Sequence, residues 1–258
     1  MHLPQIGFGT WQLTQGREAK ESVTAAIKAG YKLIDTAKIY GNEASVGQAV
    51  NDSDKRKQLI ITTKLWTSDM CYQSALNAFD SSLSRLDLDY VDLYLIHWPG
   101  SSAKARQDSW KALEEIKESG KARDIGVSNY QVEHLREMLQ YANVKPAVNQ
   151  IEFHPFIYEN QKPILEFCKQ QSITVEAYSP LAQAEKLKHP TLIEIGQKYD
   201  KTAAQVMLRW AIQHGTIPIP RSSNPDRIKQ NLEIFDFELE DNDIREINRL
   251  SSGRSVLS

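Results

Sequence analysis

The sequence predicts an α/β protein in which eight strand–helix units close into a (β/α)8 barrel, the TIM barrel. Short apolar runs of strand length alternate with amphipathic stretches of helical length, which is typical of a parallel sheet. The alternation continues from near the first residue to about residue 235, and the 258 residues are about what one such barrel needs. Because no linker or further repeat interrupts the pattern, we expect a single domain over residues 1–258.

Eight short apolar runs are candidates for the buried strands of the barrel. The predicted strands are Ile6–Thr10, Lys32–Asp35, Leu59–Thr63, Val91–His97, Asp124–Val127, Ala147–Ile151, Thr174–Tyr178 and Thr216–Ile219. A doubly wound open sheet shows the same alternation but usually carries a glycine-rich turn after its first strand. Here Gln12 stands where Gly7-Phe8-Gly9 would need a third small residue, so the closed barrel is favoured.

The stretches between the strands place apolar residues three and four positions apart, as in Val206 and Trp210. Gly30, Gly120 and Gly215 each follow such a stretch, where a left-handed terminating residue is favoured, and a strand comes soon after. The predicted helices are Glu18–Ala29, Glu43–Asn51, Tyr72–Leu86, Gln107–Ser119, Gln131–Gln140, Asn160–Gln171, a short Leu192–Lys198, and Thr202–His214.

The composition points to small-molecule chemistry. A net charge of -2 gives no excess of positive charge to attract nucleic acid or an anionic membrane. No run approaches the roughly 20 apolar residues that cross a bilayer, and the first residues do not resemble a secretory signal. Cys71 and Cys168 match no metal or redox spacing, so we expect buried, reduced thiols and no metal site. A cytoplasmic monomer with a small-molecule partner is the resulting expectation.

Polar side chains stand at the carboxyl ends of several predicted strands. Asp35, Lys64 and His97 end three successive strands, and in a barrel these ends point into one mouth. Each alone is better explained as a solvated strand end or a structural histidine; their common register favours a shared site. Polar residues at the remaining strand ends are Ser128 with Asn129, Gln150, Tyr178, and Arg221 with Ser222.

Tyr40 lies in the loop that follows Asp35 and can fold back over the mouth. A free tyrosine has a pKa near 10, but a neighbouring ammonium stabilises the tyrosinate and lowers that pKa. We expect Lys64 to supply the ammonium, Asp35 to keep it protonated, and His97 to orient a substrate oxygen. This group of residues suits the reduction of a carbonyl group.

Together, the motifs resemble the aldo-keto reductase family over nearly the whole chain, and among its subgroups the short microbial enzymes related to 2,5-diketogluconate reductases. The matching segments are Gly7-Phe8-Gly9-Thr10-Trp11, Asp35-Thr36-Ala37, Tyr40-Gly41-Asn42-Glu43, Thr63-Lys64-Leu65-Trp66, Tyr90-Val91-Asp92-Leu93-Tyr94-Leu95-Ile96-His97-Trp98-Pro99, Gly126-Val127-Ser128-Asn129-Tyr130, Asn149-Gln150-Ile151-Glu152-Phe153-His154-Pro155, Tyr178-Ser179-Pro180-Leu181 and Ile219-Pro220-Arg221-Ser222.

The resemblance implies a reductase that binds NADPH, with Tyr40 as general acid, Asp35 and Lys64 tuning it, and His97 orienting the carbonyl. It assigns the nicotinamide carboxamide to Ser128, Asn129 and Gln150, and the ring-stacking aromatic to Tyr178. It places the rest of the cofactor near Ser179, Leu181, Arg221, Ser222, Asn224, Arg227, Gln230 and Asn231. It assigns the substrate pocket to Trp11, Trp66, Trp98 and His97.

Simpler explanations exist for several of these residues. Ser128 and Asn129 could cap the following helix, Tyr178 could be a packing residue, and the arginines could form a surface charge cluster. Two other functions share the fold: a redox-sensing subunit that binds the nicotinamide with little turnover, and an aldolase-like enzyme with Lys64 as Schiff base.

The sequence departs from the family pattern in three places. Arg221 stands where lysine is usual, which leaves the preference for NADPH over NADH open. The hairpin that precedes the first strand is absent or reduced to Met1–Gln5. The loop after Gly100 and the tail Ser251–Ser258 are short, so we expect an open pocket that accepts many substrates.

Overall fold

The computed structural model describes residues 2–184, 186–253 and 255, which contain eight parallel strands in the order β1 to β8. The strands are β1 Phe8–Gly9, β2 Leu33–Asp35, β3 Ile60–Leu65, β4 Val91–Ile96, β5 Ala122–Ser128, β6 Val148–Glu152, β7 Thr174–Tyr178 and β8 Thr216–Pro218. Each pairs in parallel with the next. The N–H groups of Gly7 and Gly9 donate to the carbonyls of Pro218 and Pro220 at 2.9 and 3.0 Å, which joins the last strand to the first. The predicted (β/α)8 barrel is confirmed.

Helices surround the barrel and bury one face each against it. They are α1 Arg17–Ala29, α2 Glu43–Asn51, α3 Tyr72–Leu86, α4 Ala103–Glu118, α5 Val132–Tyr141, α6 Tyr158–Gln171, α7 Pro190–Lys198, α8 Ala203–Gln213, α9 Pro225–Gln230 and α10 Asp241–Asn248. On α8, for example, Val206, Met207 and Trp210 are fully buried. That face contacts the core because the three side chains share one side of the helix.

A small apolar cluster joins strands β4 and β6. Leu93, Leu95 and Val148 form a small buried cluster, and Leu3 packs against it. Residues 2–5 form no strand.

Several element bounds differ from the sequence predictions, and α9 and α10 were not predicted. Strand β3 extends to Leu65, so Lys64 lies inside the strand, in register with Leu95. Helix α4 begins at Ala103 rather than Gln107 because the Ser102 side chain accepts a hydrogen bond from the Ala105 N–H. Cys168 is a buried free thiol as expected, but Cys71 is exposed.

Candidate active site

Charged side chains meet at the carboxyl end of the barrel. Asp35 is the last residue of β2, and Lys64 comes from the neighbouring strand β3. The Lys64 ammonium is fully buried and donates to Asp35 Oδ1 at 2.7 Å and to the Thr36 backbone oxygen at 3.0 Å. The two residues that the sequence assigned to one site therefore form a buried ion pair.

The phenol of Tyr40 lies beside this pair. A short 3₁₀ helix, Lys38–Tyr40, follows β2, and Gly41 ends it in the left-handed conformation with φ 67°. This turn brings Tyr40 back over the strand ends. Lys64 Nζ donates to Tyr40 Oη at 3.2 Å, so one ammonium contacts both Asp35 and the phenol.

The charges around Tyr40 act in opposite directions. Burial raises the pKa of Tyr40, the Lys64 ammonium lowers it, and the Asp35 carboxylate raises it, with a net pKa above the ordinary value. From the sequence we expected the ammonium to dominate; burial outweighs it instead. Burial also lowers the pKa of Lys64, but Asp35 and Tyr40 together raise it above its usual range. A lysine held in its charged form does not serve as a Schiff-base nucleophile, which argues against the aldolase-like alternative.

His97 follows β4 and is uncharged at neutral pH. Burial and, to a lesser degree, the Lys64 ammonium lower its pKa to about 2. Its ring contacts Tyr40 and Trp66 edge-on, with centroids 5.6 and 5.1 Å away. Among the described residues, nothing hydrogen-bonds the buried Nδ1. A neutral imidazole in this position can form one hydrogen bond to a ligand without adding charge.

The predicted carboxamide and stacking residues form a hydrogen-bond network across β5, β6 and β7. Asn129 Nδ2 donates to the His97 backbone oxygen at 3.0 Å and to Ser128 Oγ at 3.1 Å. The Tyr178 hydroxyl donates to Asn129 Oδ1 at 2.8 Å, and Ser128 Oγ donates to the Gln150 backbone oxygen at 2.8 Å. These contacts hold the Tyr178 ring and the Asn129 amide in fixed positions.

The helix-cap alternative for Ser128 and Asn129 is wrong. Helix α5 begins at Val132, and its N-cap is Gln131, whose N–H donates to His134 Nδ1 at 3.2 Å. Asn129 instead adopts the left-handed conformation with φ 64°, which asparagine tolerates better than most residues.

A buried carboxyl group lies behind the network. Gln150 Nε2 donates to Asp35 Oδ2 and to Glu176 Oε2, both at 2.8 Å. Burial and, next, the Asp35 charge raise the pKa of Glu176 to about 7, against the smaller opposing effects of Gln150 and Lys64. Glu176 Oε1 has no hydrogen-bond partner within the described part of the chain. Glu176 was not predicted as a site residue because it stands in the middle of a strand.

Many of the predicted site residues line a cavity of about 630 Å³, a size typical of sites for small organic ligands. Three predicted residues do not line it: Lys64 and Ser128 lie behind Asp35 and the amides, and Asn224 caps α9. The predicted residues that line it are Trp11, Asp35, Tyr40, Trp66, His97, Trp98, Asn129, Gln150, Tyr178, Ser179, Leu181, Arg221, Ser222, Arg227, Gln230 and Asn231.

The loop after β8 supplies the arginines of the cavity. Arg221 Nη2 donates to Gln12 Oε1 at 2.7 Å and so connects this loop with the loop after β1. Asn224 Oδ1 accepts from the N–H groups of Asp226 and Arg227 at 2.9 and 3.0 Å. Its side chain therefore caps α9 and does not line the cavity, and the cofactor role expected for it stays a prediction.

Part of the cavity wall was not predicted from the sequence. The segment after β7 contributes several residues and has an unusual run of left-handed non-glycine residues, Ala182, Gln183 and Ala184. The residue types in this run do not favour that conformation, so the sequence does not predict it. Lining residues that were not predicted are Gly9, Gln12, Ile39, Pro180, Gln183, Ala184, Leu187, Ala204, Ile219, Pro220 and Ser223.

Comparison with known proteins identifies the family. The profile of the Aldo/keto reductase family matches residues 5–252. The chain belongs to the aldo-keto reductase family. The glyoxal reductase of Bacillus subtilis (strain 168) is 48% identical to this aldo-keto reductase over 257 residues, which cover 99% of the chain and 92% of that protein.

Solved structures agree with this assignment. An aldo/keto reductase from Brucella melitensis is 46% identical with a TM-score of 0.92, covering 97% of this chain and 96% of that one. An aldo-keto reductase of Bombyx mori in complex with NADP is 33% identical with a TM-score of 0.93, covering 99% and 92%.

No helix among the described residues is long and apolar enough to cross a membrane. Nor do they bring together three or more side chains that could hold a metal ion.

Proposed function

We propose that this aldo-keto reductase reduces aldehydes and ketones to alcohols with NADPH, and that Tyr40 is the general acid. The observation that carries the proposal is the Tyr40 phenol 3.2 Å from a buried, Asp35-paired Lys64 ammonium, in a cavity that His97 also lines. A positioned acid of this kind contributes about a hundred- to ten-thousand-fold to a rate.

Bound NADPH supplies the hydride that reaches the carbonyl carbon. Tyr40 holds its proton at neutral pH and delivers it from Oη to the carbonyl oxygen. The Lys64 ammonium stabilises the tyrosinate that remains, and Asp35 keeps the ammonium charged. The ring N–H of neutral His97 donates one hydrogen bond to the same carbonyl oxygen and so aims it at the phenol.

The cavity residues fit a nicotinamide dinucleotide. The Tyr178 ring, fixed by Asn129, offers a flat surface for the nicotinamide, and the amides of Asn129 and Gln150 can bind its carboxamide. Ser128 acts indirectly by holding Asn129. Residues proposed to hold the remainder are Ser179, Leu181, Arg221, Ser222, Arg227, Gln230 and Asn231.

Arg221 and Arg227 support a preference for NADPH over NADH, because guanidinium groups bind phosphate by charge-assisted hydrogen bonds and only NADPH carries the 2′-phosphate. Trp11, Trp66 and Trp98 support a small carbonyl substrate. The name of the Bacillus relative favours glyoxal-like compounds. We also propose keto-sugar acids, on the resemblance of the sequence motifs to those of 2,5-diketogluconate reductases.

We further propose a monomer of the cytoplasm, since neither the charge nor the composition points to a membrane or nucleic-acid partner. Size-exclusion chromatography with light scattering tests the oligomeric state, and cell fractionation tests the location.

The activity is tested by mixing the purified chain with NADPH and methylglyoxal, an aromatic aldehyde or a keto-sugar acid, and following NADPH oxidation by absorbance. We expect one alcohol formed for each NADPH consumed. Tight NADPH binding without turnover on any of these carbonyls would instead favour the redox-sensing function.

A further inference from the structure

The side-chain amide of Gln150 is held between two carboxyl groups. An amide nitrogen has two hydrogens to donate, and Nε2 of Gln150 directs them to Asp35 Oδ2 and Glu176 Oε2 at 2.8 Å each. A rotated amide would place its carbonyl oxygen against both carboxyl groups. Asp35 and Glu176 therefore fix the amide, and Oε1 is the Gln150 atom left to face a ligand in the cavity that Gln150 lines.

Glu176 is the member of this group whose charge is not compensated. It is fully buried on β7, where its partner in register on β8 is the apolar Ile217. The charged groups that act on it are Asp35 of β2 and Lys64 of β3, and these two already pair with each other at 2.7 Å. When Glu176 loses its proton, the buried cluster gains a net negative charge.

We propose that Glu176 is a positioning residue of the cofactor site: it orients the Gln150 amide, and its protonation state sets how strongly the site prefers NADP+ over NADPH. The proposal rests on the proposed function in requiring a nicotinamide cofactor in this cavity. The oxidised ring carries a positive charge that the reduced ring lacks. An ionised Glu176 attracts the oxidised ring, whereas the protonated carboxyl group does not distinguish the two.

The pKa of Glu176 lies well apart from those of His97, Tyr40 and Lys64. Burial raises its pKa to about 7. His97, with a pKa of about 2, titrates far below this, and Tyr40 and Lys64 titrate above their ordinary values. The 2′-phosphate of the cofactor ionises near pH 6, but both redox forms carry it, so its effect cancels when their affinities are compared as a ratio.

The test is calorimetric titration of the full chain with NADP+ and with NADPH at about pH 6 and pH 8.5. In the wild type we expect the affinity ratio to move toward NADP+ by about tenfold at the higher pH. Glu176→Gln keeps an acceptor for Gln150 and stays neutral, so its ratio should be constant. Glu118→Gln, at the exposed end of α4, is the matched control and should behave like the wild type.

A second readout needs no cofactor. The infrared carbonyl stretch of a protonated carboxylic acid should fade as the wild type is taken through pH 7, and should be missing from Glu176→Gln. A constant affinity ratio in the wild type, or an unchanged pH shift in Glu176→Gln, would overturn the proposal. Failure of the wild type to bind either cofactor would overturn the proposed function itself. This result differs from the case in which both cofactors bind and the ratio of their affinities does not change with pH.

Discussion

At the scale of single residues, the proposed chemistry depends most directly on Tyr40. Replacing Tyr40 with phenylalanine removes the proton donor and little else, so we expect kcat for carbonyl reduction to fall about a hundred- to ten-thousand-fold. The dissociation constant for NADPH should stay within about threefold of the wild type. Tyr141→Phe is the control, because its hydroxyl lies outside the cavity and has no hydrogen-bond partner in the described chain. Retention of more than about a tenth of wild-type kcat, with chemistry rate-limiting, would contradict the assignment.

The neighbours of Tyr40 should move its pH profile in opposite directions. A general acid loses activity as the pH rises through its pKa. Lys64 lowers the pKa of Tyr40 and Asp35 raises it. Lys64→Met should therefore shift the basic limb of the kcat profile upward, and Asp35→Asn should shift it downward, with slower reduction in both. Shifts of the same sign in the two variants would show that the limb reports another group.

At the scale of elements, the loop after β8 and helix α9 should decide between the two cofactors. Arg221→Ala or Arg227→Ala should weaken NADPH by about 1.5–3 kcal/mol, the range for a hydrogen bond to a charged group, and leave NADH nearly unchanged. Lys229→Ala, exposed on the same helix, is the control for net charge. Fluorescence or calorimetric titration measures both affinities. Equal losses for NADPH and NADH would place the 2′-phosphate elsewhere.

The elements that could be predicted from the sequence are those with a strong period and clear ends. The barrel order, and the meeting of Asp35, Lys64 and His97, followed from apolar strands with a polar residue at the end of each. Helix α10 was missed because only Ile244 and Ile247 give it an apolar face. Polar anchors hold it in place, including Asn248, whose Oδ1 accepts from Trp210 Nε1 at 2.8 Å.

Other features depend on packing that local sequence does not encode. Burial makes Glu176 titrate near neutrality and makes the net pKa shift of Tyr40 opposite to the one expected. Both effects come from strands distant in sequence that meet inside the barrel. The left-handed run after β7 is likewise set by tertiary contacts, since Ala182 and Ala184 have no intrinsic preference for it.

At the scale of the whole molecule, the mouth of the barrel is open on the substrate side. Trp11 and Trp98 are 36% and 38% exposed, and Ile39 is 49% exposed. The tail does not fold over them as far as it is described: Ser252 and Gly253 donate to the Phe156 backbone oxygen.

An open pocket gains little binding energy from remote parts of a substrate, so we expect broad activity on small activated carbonyls. The KM values should fall toward the upper part of the usual micromolar-to-millimolar range. Measuring kcat/KM over about ten aldehydes and ketones checks this. A preference above about a thousandfold for one compound, with a micromolar KM, would mean that a segment closes over the site.

At the seam where β8 pairs with β1, the backbone hydrogen bonds described above are all donated from the β1 side. Gly7 and Gly9 donate hydrogen bonds to Pro218 and Pro220, and prolines have no N–H to donate in return. This join should therefore open more readily than the other strand pairs, and deuterium should enter the Gly7 and Gly9 amides sooner than those of β3 and β4.

The hydrogen bond from Arg221 to Gln12 crosses the same seam at the cavity. A dinucleotide that contacts both loops would hold β8 and β1 together, so NADP+ should slow hydrogen exchange at Gly7 and Gly9. Unchanged exchange would show that the cofactor does not bridge the two loops. Binding of the cofactor and closure of the barrel would then be thermodynamically coupled.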